Sequence, residues 1–146
     1  MNKPKVKLLP HEIFDKVQNV RAMKDRIKIL QENESYSLKL ILQGNFNSWV
    51  QFDLPEGAPP FKEDRNPPEK SAGRIDRHIK VLKHFVKGSR LPRTRKEIKF
   101  IQFLEAINVN DAKIIIAMKD KNLNKLYPAL TPALVKRAFP NLIKDK

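Results

Sequence analysis

Ten lysines and arginines crowd into the stretch from Arg74 to Lys99: Arg74, Arg77, Lys80, Lys83, Lys87, Arg90, Arg93, Arg95, Lys96 and Lys99. Only Asp76 and Glu97 oppose them, which leaves these 26 residues at +8, more than half of the chain's formal +14. Lys and Arg offer fixed positive charge and hydrogen-bond donors, so a concentration of them is equipment for holding an anion rather than for breaking a bond. Such a surplus repels itself in the folded state, and a polyanion that neutralises it is the commonest reason for its presence. A solvated polar face with an excess of Lys is the rival account. In the first half, Arg74, Arg77, Lys80, Lys83, His84 and Lys87 lie opposite or beside an apolar stripe of Ile75, Ile79, Leu82 and Val86, so burying one face displays the other. In the second half, SRLPRTRK brings Arg93, Arg95 and Lys96 to the start of a helix, where the macrodipole disfavours cations and free amides favour an anion. That turn is the expected phosphate seat. Contacts of this kind hold a nucleic acid by its backbone without reading its sequence.

Other chemistries lack their parts. HEIFD, from His11 to Asp15, echoes the HExxH zinc helix with Asp15 in place of the second His, but no third ligand is evident, and Glu12 and Asp15 suit a first helical turn. His78 and His84, six apart, do not share an α-helical face and fall to the cationic side. The four glycines Gly44, Gly57, Gly73 and Gly88 never group into a phosphate loop, no Ser sits in GxSxG, and there is no Cys for a nucleophile, a disulfide or a thiolate metal site. Asp53 with Glu56, Glu63 with Asp64, and Asp111 with Asp120 are carboxylates of the kind a two-metal nuclease uses, at no spacing above chance. The expectation is a protein with no catalytic activity, metal or cofactor. Unpaired bases would need exposed rings beside the cations. Of Tyr36, Phe46, Trp49, Phe52, Phe61 and Tyr127, only Trp49 and Phe61 are expected to face a partner, the others filling a core.

Helices must position these groups. Pro10 opens a segment with Ile13, Phe14, Val17 and Val20; Met23, Ile27 and Leu30 mark a second, ended by Asn33; Ser35 caps a third through Leu38, Ile41 and Leu42, stopped by Gly44. Val50 and Phe52 alternate with Gln51 and Asp53 as a short extended piece. Residues 55–70, with five of the eleven prolines, exclude helix and sheet. Ser71 caps the helix bearing the Ile75 stripe, which Gly88 ends. Thr94 and Glu97 have capping-box spacing ahead of a central helix that buries Ile98, Ile101, Leu104 and Ile107, widened by Phe100 and Phe103. Asn108 or Asn110 caps a helix through Ile114, Ile115, Ile116 and Met118, and Thr131 with Pro132 starts the last, carrying Leu134, Val135 and Phe139. The fold class is all-α: a compact bundle of about six or seven short helices with a proline-rich loop between its halves. At 146 residues it forms one domain, 1–146, the alternative being lobes 1–54 and 71–146 joined by 55–70. No apolar run reaches membrane-spanning length, so no membrane partner is expected, and the absence of Cys fits a cytoplasmic site of action.

KILQENES (Lys28 to Ser35), QFDLPEGAPPFK (Gln51 to Lys62), HFVKG (His84 to Gly88), FIQFLEAI (Phe100 to Ile107), IAMKDKNL (Ile116 to Leu123) and TPALVKRAFPNLI (Thr131 to Ile143) occur in one order along nearly the whole chain. In these segments the sequence resembles an uncharacterised family of short proteins encoded by large contractile-tailed, myovirus-type phages of marine bacteria. The resemblance carries over no catalytic residue. It implies a protein made in the cytoplasm of an infected bacterium, serving genome replication, transcription or packaging, or disabling a host factor. With the basic stretch, it leads to an expected accessory protein that binds DNA or RNA. The alternatives are an adaptor or inhibitor that docks on an acidic surface of a phage or host protein, with the loop around Phe61 as its docking strand, and a minor virion component.

Overall fold

The computed structural model describes residues 7–65 and 74–143; Ser71, the expected cap, lies outside them. Its helices are α1 (Pro10–Asn19), α2 (Met23–Glu32), α3 (Tyr36–Phe46), α4 (Arg93–Glu105), α5 (Val109–Lys119), α6 (Leu123–Leu126) and α7 (Pro132–Ala138). The described residues contain no strand, only isolated bridges joining Phe52 to Val86 and Asp64 to Asn108. The chain is all-α.

Local chemistry sets most helix ends. Pro10 and Pro132 occupy first turns, where a missing N–H costs nothing. The Leu9 amide donates to Glu12 Oε1 at 2.9 Å. Ser35 Oγ accepts from the Leu38 amide at 3.1 Å, Asn108 Oδ1 from Asn110 at 2.9 Å, and Thr131 Oγ1 from Leu134 at 3.1 Å, each supplying a partner for an otherwise unpaired first-turn donor. Asn33 ends α2 as expected.

Helix α2 packs on α1 and α7, while α5 touches α1, α3, α4 and α6. The central place expected for α4 therefore belongs to α5, whose Val109, Ala112, Ile114, Ile115 and Met118 are buried on nearly every side. The core draws Phe14 and Val17 from α1, Leu38, Ile41 and Leu42 from α3, Phe103 and Leu104 from α4, and Leu134 and Val135 from α7. Gly44 does not stop α3, which runs on to Phe46. Its role is close approach: a Cβ there would lie 2.6 Å from Met118 Sδ and 3.3 Å from Phe52 Cζ. Gly44→Val is expected to cost about 1–3 kcal/mol through overpacking, read as a lower urea midpoint. Gly44→Ala costs less, because Ala regains about 1 kcal/mol of helix propensity.

Two further expectations are corrected. The segment after Arg74 is not α-helical: it forms 3₁₀ turns over Ile75–Arg77 and Ile79–His84, after which Val86 turns extended to meet Phe52. Ile79, Leu82 and Phe85 are buried at intervals of three, a period that fits three residues per turn and not 3.6. Phe85, absent from the expected stripe, packs edge-on against Phe100 with ring centroids 5.4 Å apart, and lies 6.4 Å from Phe103. Helix α4 starts at Arg93 behind Pro92 with no side-chain cap, so Thr94 and Glu97 lie inside it. Its buried stripe is Lys96, Phe100, Phe103 and Leu104, and Ile107 is buried just beyond its end. Ile101 is half-buried and Ile98 is 56% exposed, because the rings that meet Phe85 turn the helix away from the aliphatic face.

Candidate nucleic-acid interface

Because side chains at i and i+3 eclipse in a 3₁₀ helix, the segment 77–85 sorts its residues into three ridges. Ile79, Leu82 and Phe85 form the buried ridge; His78, Val81 and His84 form a half-buried flank; Arg77, Lys80 and Lys83 form the exposed one. His78 and His84, six apart, thus share a flank that an α-helix would deny them. Helix α4 adjoins it: His78 and Val81 line a shallow groove with Lys99, Gln102 and Phe103.

Beyond this segment the chain pairs antiparallel with the extended piece after α3. The Asp53 amide donates to Phe85 O at 2.7 Å and the Lys87 amide to Gln51 O at 2.8 Å, while Lys87 Nζ reaches Gln51 Oε1 at 3.2 Å. The pairing ends at Gly88, whose φ of +92° suits a residue without a Cβ. Asp53 then anchors α4. Its Oδ2 accepts from Lys96 Nζ at 2.9 Å, and its Oδ1 lies 4.0 Å from Arg93 Nε. The hydrogen bond from Lys96, outweighing partial desolvation and backed by the charges of Lys96, Arg93 and Lys87, holds the Asp53 carboxyl below its ordinary value. The 3₁₀ segment, the extended pair and the first half of α4 thus form one packed unit, and the cations ride on it.

Not all ten face outward. Lys96 is buried, its ammonium shared between Asp53 and Val86 O at 3.4 Å, so it is a structural cation rather than a phosphate ligand. It sits one turn before Phe100 on the buried stripe. Arg74 is half-buried, donating to Lys7 O at 2.5 Å and lying 3.8 Å from Asp76. Arg93 is exposed but within 4.0 Å of both Asp53 and Glu97. Arg77, Lys80, Lys83, Lys87, Arg90, Arg95 and Lys99 are exposed, with no ion pair among the described residues. The first turn of α4 has no acidic residue.

Residues 13–125, more than three quarters of the chain and all of this unit, match a family described as a family of unknown function, DUF6433. The chain belongs to that family. Curated proteins give no match to it. The DUF6433 span begins within α1 and ends within α6, before α7.

The remaining candidates are occupied elsewhere within this DUF6433 chain. His11 does not pair with Asp15: its Nδ1 lies 2.8 Å from Asp111 Oδ1, which also accepts from the His11 amide at 3.0 Å. Asp120 pairs with Lys119 at 2.6 Å and accepts from the Gly57 amide, at the opposite end of α5 from Asp111. Glu63 pairs with Arg65. Asp64 bridges to Asn108, its carbonyl accepting from the Val109 amide at 2.8 Å. No group of three or more metal-ligating residue types forms among the described residues. Phe61 is partly buried against the core instead of projecting from the proline-rich loop, whereas Trp49 is 56% exposed. No helix of the described residues is long and apolar enough to cross a membrane.

One contributor was missed from sequence. Lys121 Nζ donates to the carbonyls of Gly44, Asn47 and Val50, gathering the turn that follows α3. Its burial pushes its pKa below the ordinary lysine value. Nothing local signals a contact made across more than seventy residues.

Proposed function

We propose that the chain is a phage-encoded, non-enzymatic accessory protein that acts in the cytoplasm of the infected bacterium and binds nucleic acid by its backbone, with little sequence preference. The observation that carries this reading is the exposed ridge Arg77, Lys80 and Lys83, with Lys99 across the groove from its flank and the exposed Lys87, Arg90 and Arg95 following along the chain, all without an ion-pair partner among the described residues. Cations left unneutralised on one packed unit raise the local potential and favour a polyanion. The uncapped first turn of α4 adds donors directed at the same anion. The phage context rests on the segments that resemble proteins of contractile-tailed phages.

Binding that neutralises about six phosphates is expected to weaken on the order of 1,000-fold between about 50 and 200 mM salt. Fluorescence anisotropy with labelled single- and double-stranded DNA and RNA reads this slope. A flat response overturns the proposal. A protein captured from nuclease-treated infected-cell lysate, with no binding to any oligonucleotide, replaces it with the adaptor reading.

A further inference from the structure

We infer that the groove beside Trp49 receives an unpaired base of a single strand, stacked on the indole, with the flanking phosphates held by Lys87 and the cations that follow it. This rests on the nucleic-acid reading and narrows it to single strands. Trp49 is the chain's one tryptophan, and it lies 56% exposed on the turn after α3. A groove there is lined by Trp49, Val50, Gln51, Val86 and Lys87, so an aromatic face and a cation border one concave surface. Stacking on an exposed ring next to a positively charged track is how proteins hold single strands whatever their sequence, and a paired base has no free face to offer.

The surroundings hold that ring in place. Beneath the turn, the Lys121 ammonium gathers the carbonyls of Gly44, Asn47 and Val50, so the backbone on both sides of Trp49 is fixed from the core side. Beyond it, the amide of Lys87 and its side chain both bond to Gln51, which fixes the cationic wall relative to the aromatic one. A ring presented on a fixed backbone loses little freedom when a base covers it, which favours binding.

The single tryptophan supplies its own reporter. Titrating the full chain with oligothymidylate at low salt is expected to quench its fluorescence, and a matched duplex is not. Trp49→Ala is expected to weaken single-strand binding on the order of 10- to 100-fold while leaving duplex binding unchanged, and Trp49→Phe to restore most of the loss. Salt-sensitive binding of oligonucleotides with no quenching and no effect of Trp49→Ala overturns the stacking site but leaves backbone binding standing. Failure to bind any oligonucleotide overturns both.

Discussion

Replacing Lys83, Lys87, Arg90 and Arg95 together with Glu is expected to lower affinity for nucleic acid on the order of 1,000-fold or more, with helix content by circular dichroism unchanged. Four attractive contacts are lost and four repulsive ones take their place. These four are exposed and make no ion pair among the described residues, so no carboxylate is stranded when they change. Arg93 is left intact because it stands between Asp53 and Glu97, and Lys96 because its ammonium anchors Asp53 from inside the fold. The neutral version, all four to Gln, separates charge from shape: the slope of log affinity against log salt is expected to shrink by about four, one for each phosphate contact removed. Wild-type affinity in the Glu variant would remove this surface from the interface.

The second large effect concerns stability. His11→Leu is expected to cost about 3–5 kcal/mol, because it removes the imidazole that pairs with the fully buried Asp111 carboxyl. In a chain of this length that lowers the melting temperature on the order of 10 °C. Asp111 Oδ2 is already buried without a hydrogen-bond partner, so after the substitution the carboxyl keeps only the residue 11 amide on Oδ1. His11→Leu with Asp111→Asn is expected to recover most of the loss, since the Asn carbonyl still accepts from the residue 11 amide and no charge remains. Burial works against a charged His11 ring, but the hydrogen bond and charge of Asp111, with Glu12 and Asp15 behind, outweigh it and raise its pKa above the ordinary value. A raised pKa means a contribution complete below about pH 6.5 and lost as pH rises through the higher folded value. Tyr127, pushed upward by burial and by the charges of Asp15 and Asp111, stays neutral throughout that range. Wild-type stability is therefore expected to decline as pH rises from about 6.5 through the raised His11 value, and the double variant to lose that slope; equal slopes would disprove the coupling.

Local interactions explain which parts of the fold were legible. Ser35, Asn108 and Thr131 cap helices through amides two or three residues away, and prolines open α1 and α7, so the sequence around each site contains the whole interaction. The segment after Arg74 was misread because Ile75, Ile79 and Leu82 suit an α-helix as well as a 3₁₀ helix. Only Phe85, at the next interval of three, tells them apart. Lys96 was legible in principle: four residues before Phe100, it falls on the buried stripe, but its charge marks it as surface unless Asp53 is known to face it. Lys121 was out of reach, because its partners lie on another helix and the turn beyond. In the candidate site, the concentration of charge was readable from sequence, but not which rings the fold would expose, Tyr36 being 60% exposed and Phe61 half-buried, nor which cations it would consume internally.

The 3₁₀ geometry also changes what the basic segment presents. Lys80 and Lys83, three apart within the 3₁₀ helix Ile79–His84, are separated by a rise of about 6 Å and stand one above the other, where an α-helix would wind them around its axis. Such an alignment suits a ligand that is itself linear and regularly charged. Its integrity depends on register rather than composition: one residue inserted near Lys80 would swing Lys83 a third of a turn out of line, although the charge of the segment would stay the same.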